Sequence, residues 1–255
     1  ALVLIGGNLP TSMYKDILHD STYVDAVCFG EGELPLLDLV KSKNKINLIN
    51  NHESWVTHNT LKKNKIYKHN FIENLDEIPF LDYDILDIEG YKLNPTSSRY
   101  SVSDRYMAKH EGNNIPMEKT KGLNTDFEPN IMPIMTSRGC PYHCTFCASH
   151  ATHGRRMRYH SVERVNNDLE IMKNKFKING VVVQDDHFMG GGKRPYSLME
   201  NIRDLSLNVF FQNALTIYAL KPPFLKILNE AGIKELVLPI ESGSERVLRE
   251  IMKKN

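Results

Sequence analysis

The sequence predicts an α/β protein, and three observations carry that prediction. Short apolar runs suited to buried parallel strands alternate with stretches of helical periodicity. The alternation occurs twice, over residues 1–45 and again over 131–255, with a segment of different composition between them. In the second stretch, successive strand-like runs each end in polar or ligand-bearing residues. That is the pattern of a parallel sheet whose carboxyl ends line a site.

In the first stretch, "ALVLIGG" is a continuous apolar run stopped by Gly6 and Gly7, which suits a buried strand. A helix is expected over 12–19, then a strand in "DAVCFG" and a helix in "EGELPLLDLVK". The chain lacks an initiator Met, begins inside an apparent strand and stops at an apparent helix end, so it reads as a fragment. Residues 46–130 read as a connection. "SWVTHNTLKKNKIYKHN" predicts a small hairpin turning near Lys63 and Asn64, and the Pro-, Asp-, Asn- and Gly-rich remainder predicts an irregular segment wrapped over a domain surface.

From residue 131 the strand–helix alternation is regular. "IMPIMTS" is the first strand, and "SVERVNNDLEIMKNKFK" places Val162, Val165, Leu169, Met172 and Phe176 on one helical face behind a Ser161 N-cap. "GVVVQDD" then "SLMENIRDL", and "NVFFQN" then "PPFLKILNEAG", repeat the unit, the last helix with Pro at its start and Gly232 at its stop. "ELVLPIESGS" and "ERVLREIMKK" predict a fourth. Right-handed crossovers make such a series a parallel sheet or part of a barrel. Its strand ends carry the cysteine loop, Gln184-Asp185-Asp186, Gln212-Asn213 and Glu241-Ser242-Gly243.

Bulk properties exclude little but usefully. The 255 residues are 41% apolar and 25% charged, ordinary for a globular protein. A net charge of +1 provides no electrostatic case for nucleic acid. No apolar run approaches the roughly 20 residues that span a bilayer, and no signal-peptide pattern opens the chain. Three of four cysteines lie in one loop, which is not a disulfide framework. Thiol ligation in a reducing, cytoplasmic setting is the expectation.

That loop, "TSRGCPYHCTFCASH", spaces Cys140, Cys144 and Cys147 as C-x3-C-x2-C. Three thiolates can hold three irons of a 4Fe–4S cube and leave the fourth open, whereas a four-cysteine cluster is coordinatively closed. The alternative is a structural zinc completed by His143 or His150, although no second cysteine pair is present. Gly139 and Pro141 suit the tight turn around the first ligand.

"CPYHCTFC" resembles the C-x3-C-x-aromatic-C motif of the radical S-adenosylmethionine (SAM) superfamily. The resemblance implies that the three cysteines hold a 4Fe–4S cluster whose open iron binds SAM. Reductive cleavage of SAM to methionine and a 5′-deoxyadenosyl radical would follow, the radical abstracting hydrogen from substrate. It implies SAM contacts from Phe146, from Asp185 or Asp186 in "VVVQDDHF", and from Glu241 and Ser242 in "IESGSERVL". Pro239 stands where the family commonly has glycine. Arg158 matches an arginine that can fork onto the SAM carboxylate, with a surface role as its alternative.

The first stretch and the "NLDEIPFLDYDIL" linker resemble the end of a cobalamin-binding domain joined to a radical SAM domain. This implies a Rossmann-like, cobalamin-binding-type segment over 1–45, a linker over 46–130, and a partial radical SAM (β/α) barrel of four units over 131–255. Gly6 and Gly7 would lie near the nucleotide tail of cobalamin, where their plain reading is a strand-ending turn. The implied activity is radical chemistry on an unidentified substrate, fed by a reductant such as flavodoxin or ferredoxin, with cobalamin-dependent methyl transfer leading. A radical cyclase without cobalamin and a zinc-stabilised, non-catalytic binding protein are the alternatives. The chain's own residues single out no catalytic side chain.

Overall fold

The computed structural model describes residues 1–63, 65–88, 130–233 and 236–254. They gather into two units: Ala1–Leu75 with Arg138–Arg158 and Ser242–Asn255, and Asp76–Ser137 with Tyr159–Glu241. The cysteine loop is part of the unit built on the N-terminal segment.

In the first unit, β1 (Leu4–Ile5) lies parallel to β2 (Ala26–Cys28). Between them runs α1 (Asn8–Asp20), kinked at Met13 where the backbone is non-helical; the turn before the kink, which carries Pro10, adds to the 12–19 expected. After β2 come α2 (Glu33–Lys41) and α3 (Lys45–Asn51). The buried β2 packs Ala26 and Cys28 against Leu39, Ile49 and Trp55, and Val27 against Leu18 and Val56. Among the described residues the predicted hairpin is not seen; its turn residue Asn64 lies outside them. Instead β3 (Trp55–Val56) adds antiparallel to β2, and α4 (His58–Lys62) follows at once. Thr57 and Thr60 cap that helix reciprocally, and this local closure takes residues 58–62, which the outgoing arm of the hairpin would need. The Trp55 indole donates to the Pro35 carbonyl at 3.3 Å, which satisfies its polar atom in the core.

The second unit is closer to its sequence pattern. Strands β4 (Ile131–Ile134), β5 (Gly180–Val183) and β6 (Asn208–Phe211) form one parallel sheet in that order, with Ile131 opposite Gly180 and Gly180 opposite Asn208. Helices α5 (Val162–Phe176), α6 (Arg194–Asp204) and α7 (Pro222–Glu230) complete the three units. Ser161 caps α5 through a 3.1 Å bond from the Arg164 amide. Val165, Leu169, Met172 and Phe176 are buried as their spacing requires, each worth about 1.5–3 kcal/mol relative to exposure. The near end of the linker packs here too, Tyr83 meeting Phe176 edge-on at 5.6 Å.

The fourth predicted strand is absent among the described residues: 236–242 is irregular, and Val237, Leu238 and Ile240 are exposed. A strand needs a paired neighbour, and no described residue pairs with this run. The helix expected after it is a π-helix over Val247–Met252. The later part of the predicted linker, 89–129, lies outside the described residues. No helix of the described residues is long and apolar enough to cross a membrane.

Candidate functional site

The cysteine loop is shaped at its base by glycine and at its tip by a turn. Gly139 has φ +90°, and a Cβ there would stand 2.4 Å from the Arg156 carbonyl oxygen, so only glycine fits. The Cys140 amide donates across the base to Gly154 at 3.3 Å. The close approach that requires Gly139 is thus to the loop's own return strand. At the tip the Cys147 amide donates to Cys144 at 3.2 Å. Thr145, between those cysteines, bonds through its amide to Met252 and through its hydroxyl to Ile251, each at 2.9 Å.

None of the three loop cysteines is in a disulfide and all are half-buried, and the Cys147 thiol lies 3.3 Å from the Ser149 hydroxyl. Cys28 is different. It is buried, its thiol is pushed up to about 11 by burial and then by Glu33, and it contacts the Glu31 carbonyl at 3.7 Å. A thiol so held is a poor nucleophile or ligand. An open-iron 4Fe–4S site would need three such sulfurs, undisulfided and half-buried in one loop. Among the described residues no three His, Cys, Asp or Glu side chains converge on a point, so binding would draw the thiols together. His143 and His150, the zinc alternatives, are both exposed. Phe146 is 54% exposed, with the Lys254 ammonium 6.0 Å from its ring.

Arg158 departs from both of its sequence readings. It is 4% exposed and forks onto Glu31, with bonds of 2.9 and 2.6 Å. It also donates to the carbonyls of Ile72 and His153 and lies over the Phe71 ring. Neither a surface role nor an open fork for a ligand matches that geometry, because its donors are already spent on buried acceptors.

Asp185, in the second unit, is likewise committed. Its carboxylate accepts from the Thr136 amide (2.5 Å) and from the Thr136 and Ser137 hydroxyls (2.6 Å each). Its backbone carbonyl accepts from Asn213 at 2.8 Å. One residue thus ties the ends of β4, β5 and β6, so three of the predicted strand ends do share a rim. Burial pushes the Asp185 carboxyl above the usual range, against the hydrogen bonds from Ser137 and Thr136. Asp186 is half-buried beside it. Glu241, also in this unit, is exposed with φ +60°, and Ser242, in the first unit, accepts from the Ser244 amide at 3.1 Å. A Cβ on Gly6 would stand 3.3 Å from the Cys28 Cβ, while one on Gly7, at φ +100°, would meet nothing within 4 Å.

The residues that sequence reasoning missed are the ones that frame the loop: Glu31, Glu33 and Arg138. The Arg138 guanidinium bonds Glu33 at 2.5 Å and lies 3.4 Å from Glu31. Burial opposes the charge on Glu33, but Arg138 outweighs it and holds the carboxyl below its usual range. The available signal was two acids directly after a buried strand, "AVCFGEGE", and arginines flanking the cysteines.

Residues 134–255 match the radical SAM superfamily. Over 98% of this chain and 48% of its own length, a protein of Pyrococcus horikoshii named as an uncharacterized methyltransferase is 28% identical. Cytidylyl-2-hydroxyethylphosphonate methyltransferase of Streptomyces wedmorensis is 24% identical over the whole chain and 47% of its own length. The chain thus spans about half the length of these relatives. The cobalamin-dependent SAM radical enzyme OxsB shares the fold, with a TM-score of 0.61 at 19% identity over 100% of this chain and 33% of that one. The C-x3-C-x2-C loop lies inside the matched segment, so it is this stretch, 134–255, that is similar to the radical SAM superfamily.

Proposed function

We propose that this chain is part of a radical SAM enzyme that transfers a methyl group to an unreactive carbon or phosphorus centre. The observation that carries the reading is the loop of three half-buried cysteines, none in a disulfide, within the matched segment. Cys140, Cys144 and Cys147 would hold the 4Fe–4S cluster. When bound there, the cluster would supply the electron for reductive cleavage of SAM. The loop's part is to fix the three sulfurs and keep the fourth position clear of protein ligands. Phe146, exposed beside Cys147, is the candidate for contact with adenine. Asp186, Glu241 and Ser242 are the remaining candidates for SAM.

Methyl transfer is favoured by the relatives named as methyltransferases, one of them acting on a phosphonate by its name. Cobalamin is the candidate methyl carrier. Gly6 and Gly7 end β1 ahead of α1, the position at which such folds receive a ligand. A low-potential reductant of the flavodoxin or ferredoxin class would feed the cluster, in a reducing cytoplasmic setting suited to three open thiols.

The test is anaerobic assay of the full-length protein with SAM and dithionite. Formation of 5′-deoxyadenosine that Cys144→Ala abolishes supports the reading. One equivalent of tightly bound zinc with no iron uptake overturns it.

A further inference from the structure

The buried charge cluster of the first unit has a position that its chemistry alone does not explain. Glu31 is 3% exposed. Its carboxylate receives the Arg158 fork at 2.9 and 2.6 Å and the Ile72 amide at 3.2 Å, and the Arg138 guanidinium stands 3.4 Å away. Arg138 precedes Cys140 by two residues, and Arg158 closes the same segment after Cys147. One carboxylate, delivered from the turn after β2, therefore joins both ends of the cysteine segment. Arg138 is held a second time by Glu33, and Arg158 by the His153 and Ile72 carbonyls.

A chain segment whose ends are tied loses most of the conformations in which its side chains lie far apart. Carboxylate–guanidinium forks fix direction as well as distance, because two parallel bonds leave no free rotation. A lone buried acid would also be costly, and here two carboxylates face two guanidiniums, so no charge is left over. Between the tied ends the segment still has an exposed tip, where Phe146 and the thiols are reachable. The arrangement is a rigid base beneath an adjustable tip.

We propose that Glu31 is a positioning residue for the cysteine loop. By tying Arg138 to Arg158 it holds the loop base closed and sets the span over which Cys140, Cys144 and Cys147 can meet a metal. The consequence for a 4Fe–4S cluster rests on the proposed function; the consequence for the loop itself does not.

Amide hydrogen exchange of the full-length, metal-free protein tests the loop directly, in wild type and in Glu31→Gln, Arg158→Lys and Glu33→Gln. In Glu31→Gln, exchange across 138–158 should quicken by about tenfold, the scale of one lost charge-assisted bond. Residues 162–183 of the other unit serve as the folding control and should not change. Glu33→Gln should have a smaller effect, since Glu33 holds only Arg138. Arg158→Lys keeps the charge but removes the fork, and should quicken exchange as Glu31→Gln does. If Glu31→Gln unfolds the protein, this milder variant decides. Unchanged exchange in 138–158 in a folded variant would overturn the proposal.

The second readout is the electron paramagnetic resonance spectrum of the reduced, iron-loaded protein. A loosened loop should give lower iron content and a heterogeneous signal, whereas a homogeneous wild-type signal in Glu31→Gln would contradict the positioning role. If wild type takes up no iron at all, the proposed function fails, and the exchange result still decides whether Glu31 closes the loop.

Discussion

Asp185 and Glu31 are both buried acids that close a loop base, yet they are held by different partners. Asp185 follows β5 and accepts from the backbone and hydroxyls of Thr136 and Ser137, while the Arg194 guanidinium acts on it only through space. Glu31 follows β2 and is met by two guanidiniums and an amide. Neutral donors satisfy a carboxylate but do not cancel its charge, so burial pushes the Asp185 proton affinity up. Guanidiniums cancel charge and fix direction, at the risk that removing one partner strands the other. The first arrangement suits a sheet rim, and the second suits a loop that must hold its shape against solvent.

Breaking Glu31 gives the largest expected effect. Glu31→Ala leaves Arg158 buried without its counter-charge, for a loss of about 3–5 kcal/mol in denaturant unfolding of the first unit. Asp185→Asn should cost less, about 1–2 kcal/mol. One oxygen remains to accept, and the Thr136 and Ser137 hydroxyls can turn to accept from the new amide. If the two substitutions cost the same, the distinction between charged and neutral partners is wrong. Ser161→Ala, which removes the α5 cap but touches neither acid, should cost about 1 kcal/mol.

The smallest effect is on pH dependence, and it has opposite sign in the two units. Asp185 binds its proton more tightly folded than unfolded, so its contribution is greatest in acid and is lost as pH rises from the ordinary aspartate range through the raised folded value. Glu33 is held below its ordinary range, so its contribution is complete above that range and is lost as pH falls through the depressed folded value. Local exchange measured across that acid range should show the second unit tightening and the first loosening as the pH falls. Asp185→Asn should remove the first trend, and Glu33→Gln the second.

What was legible in the sequence was local. The core face of α5, its Ser161 cap, the buried run of β5 and the proline start of α7 all follow from spacing within a few residues. The α4 helix was legible in principle, since Thr57 and Thr60 have the spacing of a capping box, but the alternation of "SWVTHNT" read first as a strand. The apolar run 236–240 has strand composition and still forms no strand among the described residues, because pairing is a property of the neighbour. The three thiols were legible as a ligand set. The frame beneath them was not, because Glu31 meets Arg158 only after the chain between them has folded. Arg158 shows the limit of a carried-over role: the arginine stands where the resemblance puts it, and the structure employs it inward.

The measurement that tests the account most directly is the response of the reduced, reconstituted full-length protein to SAM, followed by electron paramagnetic resonance. About four irons per chain should load, and the reduced signal should shift when SAM is added, as binding at an open iron requires. Cys144→Ala should show neither. Iron loading with a signal indifferent to SAM, or occupancy by zinc alone, would contradict an open-iron site in the "CPYHCTFC" loop.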